Sequence, residues 1–323
     1  MKAAYIEKTN APLNIKETEL PVSTSAMKLV KVTCAGLNHR DLWIQKGKYA
    51  GIKLPLIPGS DLTGHIDNQK VIVNPAFYWG DNPSCQSKDF EILGLPSSGS
   101  IAEYTLVPKE NIYPAPEHLD DIQSAGLPLA GLTAYRALFI KAKVKAGEKV
   151  FITGIGGGVA LFALQFCLAI GCTVYVSSSS LDKINRAISL GAKGGVNYNN
   201  ENWENEMLEM SQGIDVVIDG AAGSNFGKFF KMMNYGGRIS LYGGTQGNIE
   251  KISPQILFWK QLSIFGSTMG SPLDFENMLA LVSNHKIVPV IDSIFGLNQI
   301  NDAFERMNNG LQFGKIIIQI TES

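Results

Sequence analysis

Gly154, Gly156, Gly157 and Gly158 follow Val150-Phe151-Ile152-Thr153, a short apolar run that reads as a strand. After them come Val159-Ala160-Leu161-Phe162-Ala163-Leu164, which read as helix. Glycines let backbone N–H groups approach a pyrophosphate with no Cβ in the way, and a helix N-terminus turns those groups toward negative charge. Strand, glycine turn and helix in this order predict a dinucleotide site. In such a site Gly154 makes the tight turn, Gly156 or Gly157 admits the phosphates, and Ala160 is small enough for close packing of helix on strand. The spacing departs from strict G-x-G-x-x-G, because Val159 stands where the third glycine belongs. The bland alternative is a turn that only joins a buried strand to a buried helix.

A second group lies downstream. Folds that prefer NAD place an acid ~20 residues after the first glycine, at the end of the second strand, to bind the ribose 2′-hydroxyl. Here that strand ends in Ser177-Ser178-Ser179-Ser180, and the first acid, Asp182, already lies in the next helix. Hydroxyls, N–H groups at a helix start and the ammonium of Lys183 suit a 2′-phosphate. The alternative is a serine-rich helix cap followed by a solvated lysine. The expected cofactor is NADP(H).

The elements that must carry these groups are legible from about Asp120 onward. Helical stretches at 122–138, 159–170 and 181–190 alternate with apolar strands at 149–153, 173–177, 214–219, 237–242 and 262–266. That alternation implies βαβ units and a parallel sheet with right-handed crossovers. Ligands gather outside the carboxyl ends of such strands, so Tyr242, Gly243, Ser267, Thr268 and Met269 are expected around the ribose and carboxamide. The first 120 residues read instead as short strands (28–33, 70–73, 101–107), with a Pro/Gly loop at 54–59 and a long loop at 74–100. Residues 286–323 return to that texture. The fold class is therefore α/β, a doubly wound parallel sheet inserted in a β-rich domain. Residues 1–121 and 269–323 form one domain, and 122–268 form the dinucleotide-binding domain.

Composition narrows the partners. A net charge of −1, and no basic stretch interleaved with aromatics, speak against nucleic acid. There is no apolar N-terminal run and no stretch of ~20 apolar residues, so neither a leader nor a membrane partner is expected. Cys34, Cys85, Cys167 and Cys172 show no paired spacing, and three of them sit in apolar runs as buried thiols. A reduced, cytoplasmic setting is the default.

The segments 36–41 (GLNHRD), 58–64 (PGSDLTG) and 132–138 (LTAYRAL), the glycine turn, Gly191-Ala192 and Val196-Asn197-Tyr198 follow one another in a telling order. In that order they resemble the medium-chain dehydrogenase/reductase superfamily over essentially the whole chain. The resemblance implies a GroES-like catalytic domain around a Rossmann domain. Within the superfamily it is to a zinc-type alcohol dehydrogenase-like branch beside the quinone oxidoreductases. Zinc-dependent members carry a cysteine at the position of Asn38, a histidine at Ser60 and a cysteine or acid at Leu129. An amide, a hydroxyl and an alkyl group do not make a catalytic zinc site, which needs three N, S or O ligands and one open position. The family's structural zinc needs four cysteines in the long loop, which holds only Cys85. No metal is expected.

Two acids that support the metal in zinc relatives remain in kind, Asp41 and Asp61. Without a cation they would be costly in an apolar pocket. Arg40 is expected to supply the missing charge as a bidentate partner, the alternative being that it points to solvent or to a neighbouring strand. The resemblance further implies His39 near the pyrophosphate, Lys183 and Tyr198 on the 2′-phosphate, Thr133 near the nicotinamide, and Tyr49 in the substrate pocket. Trp43 would offer a flat apolar wall. Without zinc no Lewis acid polarises the substrate oxygen, so acceptors must be electrophilic by themselves: quinones, conjugated enones or enals, activated aldehydes. Asn38 would donate to the developing oxyanion, and Tyr49 would donate a proton or line the cleft; Asp41 and Thr133 complete the catalytic set. Relatives dimerise through the last strand of the dinucleotide domain, here 262–266, so a homodimer is expected. Two other readings stay open: a dinucleotide-binding sensor with vestigial catalysis, and an alcohol or aldehyde oxidoreductase.

Overall fold

The computed structural model describes residues 1–321 and divides the chain into two units. The first runs from Met1 to Leu132 and resumes at Gly270; the second spans Thr133–Met269. The first boundary thus falls inside the helix Pro128–Tyr135, later than the 121/122 break suggested by composition. The physical reason lies in Leu129, whose N–H donates to the Asp61 carboxylate at 2.7 Å and ties the start of that helix to the first unit.

The first unit is built on a sheet of seven strands. Its order is Ile291–Gly296, Lys315–Gln319, Met27–Gly36, Asp61–Ile66, Gln69–Val73, Ile112–Pro114, with Tyr104–Pro108 also pairing with Met27–Gly36. The two ends of the chain meet here, because Lys315–Gln319 runs antiparallel to Met27–Gly36 with Ile317 opposite Gly36. Asp61 lies opposite Gly36 on the other side. That double register brings Lys315, Asn38 and Asp61 to one end of three adjacent strands. Their apolar partners Ala35, Leu37, Ile316 and Ile318 are buried with Phe304 and Met307 of the helix Ile300–Asn308. The long loop at 74–100 is not featureless. It contains a two-stranded ladder, Ala76–Phe77 with Glu91–Ile92, and Trp79 packs edge-on against Phe90 at 5.5 Å between centroids.

The second unit is a parallel sheet. Its strands are β1 (Lys149–Ile152), β2 (Thr173–Ser178), β3 (Gly194–Asn197), β4 (Ile214–Asp219), β5 (Met233–Leu241) and β6 (Ser263–Gly266), in the spatial order 3-2-1-4-5-6. Helices α1 (Gly158–Ala169), α2 (Leu181–Ser189) and α3 (Trp203–Ser211) provide the first crossovers. Strand order reverses between β1 and β4, the topological switch point where such sheets bind ligands. Phe151, Trp203, Phe226 and Phe229 form a buried aromatic cluster under the sheet. The helix expected over 122–138 is broken into Asp121–Ala125, Pro128–Tyr135 and a π-helical turn at Arg136–Lys141. Gly126 and the ring of Pro128, which has no N–H, account for the first interruption. No helix among the described residues is long and apolar enough to cross a membrane.

Candidate functional site

In the second unit the glycine turn has the backbone its sequence requires. Gly154 (φ 63°) and Gly156 (φ 123°) take left-handed conformations that side-chain-bearing residues rarely adopt. Gly157 caps α1 with extended backbone, Gly158 opens the helix and Val159 follows within it. Ile155 N–H donates to Ser177 O at 2.8 Å, so the turn is tied to the end of β2.

The serine run divides by role. Ser177 and Ser178 are buried. Ser178 Oγ accepts from Ser180 N–H at 3.2 Å, and Ser178 O accepts from Tyr198 N–H at 3.2 Å. Ser179 is exposed, and its carbonyl accepts from Asn197 Nδ2 at 3.2 Å. Ser180 caps α2 by accepting from Lys183 N–H, and Lys183 and Tyr198 are half-buried. Ser178, Ser179, Lys183 and Tyr198 are thus brought together at the carboxyl ends of β2 and β3. Thr133 Oγ1 donates to Met269 Sδ at 3.9 Å, both residues being buried. Tyr242 stands directly over Gly220, where a Cβ would meet its ring at 2.6 Å. Gly243 is pressed against Gly220 O, Ser267 N–H donates to Leu241 O, and Thr268 is exposed.

In the first unit the cation hydrogen-bonded to the buried Asp61 is Lys315, not Arg40. Lys315 Nζ donates to Asp61 Oδ2 at 2.9 Å, Asn38 Oδ1 at 2.7 Å and Leu37 O at 2.9 Å. Lys315 is 4% exposed and Asp61 fully buried. Asp61 Oδ2 also accepts from Asn38 Nδ2 at 2.9 Å. The Asn38 amide therefore has one orientation that serves both neighbours, oxygen toward the ammonium and NH2 toward the carboxylate. Its NH2 also reaches Gly36 O at 3.3 Å. Both Nδ2 protons are committed within the cluster, so the amide does not stand ready as the oxyanion donor that the sequence suggested.

Arg40 reaches elsewhere. Its Nη1 donates to Ser60 Oγ at 2.6 Å and Leu93 O at 2.8 Å, and its guanidinium lies 5.4 Å from the Tyr49 ring centroid. The expected bidentate pairing with Asp41 or Asp61 is not formed, because the first turn of the helix His39–Gln45 carries Arg40 toward Ser60 and Leu93. Asp41 instead accepts from Asn38 N–H at 2.8 Å and Gly59 N–H at 3.1 Å. Burial pushes the Asp41 carboxyl up, and the Arg40 charge, the Asn38 N–H and Lys315 pull the other way without cancelling it. His39 is exposed, 3.4 Å from Gln312 Nε2. Tyr49 is 40% exposed, and the Lys48 ammonium sits 5.1 Å from the Trp43 ring.

These residues do not fit a catalytic metal. Ser60 Oγ donates to Leu93 O at 2.6 Å, Leu129 offers only a backbone N–H, and the Asn38 oxygen is held by an ammonium. Among the described residues no three His, Cys, Asp or Glu side chains are grouped to hold a metal ion. Cys34, Cys167 and Cys172 are buried free thiols, and Cys85 is exposed.

Lys315 escaped the sequence reading, although a signal was present. Lysine is almost never buried unless paired, and this one opens the apolar run Ile316-Ile317-Ile318.

Two family models match the chain: an alcohol dehydrogenase GroES-like domain over residues 26–117 and a zinc-binding dehydrogenase domain over 158–284. A zinc-type alcohol dehydrogenase-like protein of Leptosphaeria maculans is 34% identical, with 96% of this chain and 95% of that protein covered. The quinone oxidoreductase of Mus musculus is 31% identical over 98% of this chain and 97% of its own. A crystal structure of an NAD-dependent alcohol dehydrogenase superposes with a TM-score of 0.94 at 29% identity, covering 99% of this chain and all of the other.

Proposed function

Since the chain belongs to the medium-chain dehydrogenase/reductase superfamily, we propose that it is a zinc-independent, NADPH-dependent oxidoreductase reducing a quinone or an α,β-unsaturated carbonyl. The observation that carries this reading is the closed Lys315 cluster. An ammonium has three protons, and here all three are used on protein acceptors. Unlike a catalytic metal it keeps no open position, so it cannot polarise a substrate carbonyl. The acceptor must bring its own electrophilicity. When bound, the nicotinamide supplies the hydride. The chain's own residues then bind and orient. The Gly154–Gly158 turn and the start of α1 take the pyrophosphate, and Ser178, Ser179, Lys183 and Tyr198 take the 2′-phosphate. Thr133, Tyr242, Gly243 and the 267–269 backbone hold the nicotinamide end. Tyr49, exposed and carrying a phenol O–H, is the proton donor to the reduced acceptor.

Oxidation of NADPH against a panel of quinones, enones, aldehydes and simple ketones tests the reading. Turnover is expected with the first two, absent with simple ketones, and unchanged by a strong chelator. The similarity to alcohol dehydrogenases favours a second reading, an alcohol or aldehyde oxidoreductase. Alcohol-dependent reduction of NADP+ that a chelator abolishes would establish it and sink the first. Tight NADPH binding with no turnover across the panel would point to a sensor.

The working unit is a homodimer joined through β6. That strand lies at the edge of its sheet, with Ile264 exposed. Just before it in the chain the helix Pro254–Trp259 buries none of its residues, and Phe258 and Trp259 are 66% and 71% exposed. An apolar edge left bare is an aggregation hazard, which pairing with a second copy removes. Ile264→Lys is expected to give a monomer in sedimentation velocity; a dimer unchanged by it would exclude this surface.

A further inference from the structure

Asp219, the last residue of β4, is completely buried and has no counterion among its hydrogen-bond partners. Both of its oxygens nevertheless accept hydrogen bonds. Oδ1 accepts from the Thr153 hydroxyl at 2.5 Å and from Ala221 N–H at 3.2 Å, and Oδ2 accepts from Ala222 N–H at 2.8 Å. The Thr153 oxygen accepts in turn from Gly220 N–H at 3.4 Å. Burial pushes the Asp219 carboxyl up, and these donors oppose it.

The placement of this cluster gives it meaning. Thr153 is the residue before Gly154, and its own N–H continues the β1–β4 ladder by donating to Ile218 O. The Thr153–Asp219 bond therefore crosses the carboxyl ends of β1 and β4, the two strands between which the sheet order reverses. On one side it holds the glycine turn. On the other it holds residues 220–223, where Ala222 (φ 58°) and Gly223 (φ 68°) are both left-handed. An alanine in that region needs its surroundings to over-determine it, and the carboxylate does so by taking the Ala221 and Ala222 N–H groups together. The 220–223 turn is stitched onward to the loop after β5, by Gln246 N–H on Ala221 O at 2.8 Å and Gly223 N–H on Gly247 O at 3.2 Å.

We propose that Asp219, acting through Thr153, is a positioning residue for the dinucleotide. It sets the shape of the glycine turn against the neighbouring loops, and so sets the affinity for the pyrophosphate that both nicotinamide cofactors share. The inference rests on the cofactor site described above but not on the preference for a 2′-phosphate.

The test is the dissociation constant of NADPH and of NADH, read by fluorescence on the full chain, for wild type, Thr153→Val, Thr153→Ser, Asp219→Asn and the Val/Asn double variant. Thr153→Val removes the donor while keeping the β-branched shape. Asp219→Asn sets an amide NH2 against the Ala222 N–H, or turns its only acceptor away from Thr153. Each is expected to weaken both dinucleotides by about tenfold or more, the scale of one lost hydrogen bond to a charged group. Thr153→Ser should stay within about twofold of wild type, and the double variant should be no worse than Asp219→Asn, because the two act through one bond. Dissociation constants unchanged in Thr153→Val, with only the melting temperature lowered, would mean that the bond merely stabilises the fold and would overturn the proposal. So would additive losses in the double variant. A wild type that prefers NADH removes the phosphate reading and leaves this one to be decided on NADH; a wild type that binds neither overturns both.

Discussion

Lys315→Met should lower the stability of the first unit by about 3–5 kcal/mol, the cost of leaving one partner of a buried ion pair uncompensated. Methionine keeps the length of the lysine stem but brings no charge. Asp61, fully buried, would keep only the Leu129 N–H and the Asn38 amide for its carboxylate, while Asn38 Oδ1 and Leu37 O would each lose a donor. Against a total stability of ~5–15 kcal/mol this is a large fraction. Thermal unfolding monitored by circular dichroism should show the unit's transition fall by roughly 10 °C, at ~2–4 °C per kcal/mol for chains of this size class. The control is the pair Asp61→Asn with Lys315→Met. Removing both charges leaves a polar but neutral cluster, so the double variant should recover most of the loss instead of adding to it. If Lys315→Met melts within about 2 °C of wild type, the ammonium is not the counter-charge of Asp61, and the closed-cluster argument for a self-activated acceptor loses its support.

What the sequence disclosed and what it hid follow from how local each feature is. The glycine turn, β4 and the Ser177–Lys183 run are each specified within about ten residues by β-branched runs, glycines and a helix cap, so their positions could be read directly. The parallel sheet followed from the alternation of strand and helix together with right-handed crossovers. The order of its six strands did not, and β3, a four-residue edge strand that opens on two glycines, gave no apolar run to read. The Lys315 cluster is different in kind. Its contact with Asn38 spans 277 positions and exists only because the last strand pairs beside Met27–Gly36 in one particular register. A lysine opening the apolar run Ile316-Ile317-Ile318 signals that it is paired, but nothing local says with which residue.

Arg40 misled for the opposite reason, nearness in sequence. It adjoins Asp41, but neighbours on a helix point about 100° apart, and the acid turns back to cap the helix while the guanidinium reaches Ser60 and Leu93. Asp219 and Thr153 are joined across 66 positions by strand order alone. Their bond became predictable only once β1 and β4 were known to be neighbours.

Cofactor choice should turn on a single position at the end of β2. Ser178→Asp is expected to weaken NADPH by at least about 100-fold while leaving NADH unchanged or tighter. An aspartate there keeps the acceptor that Ser178 Oγ presents to Ser180 N–H, so the start of α2 need not rearrange. It also places an acid where NAD-binding folds use one to accept from the ribose 2′-hydroxyl. Against a 2′-phosphate the same carboxylate is repulsive. At ~4 Å and an effective dielectric of ~20, two unit charges interact by about 4 kcal/mol, so even half of that suffices for most of the hundredfold loss. Lys183→Ala should act in the same direction and more weakly, about tenfold on NADPH, because a half-buried ammonium is partly screened. Salt supplies a second measurement. The wild-type affinity for NADPH should fall between low and high ionic strength more steeply than that for NADH, and Lys183→Ala should flatten the difference. Equal losses of both dinucleotides in Ser178→Asp would show that the change distorts the end of β2 and does not meet a phosphate, and the choice of NADP(H) would then have to be abandoned.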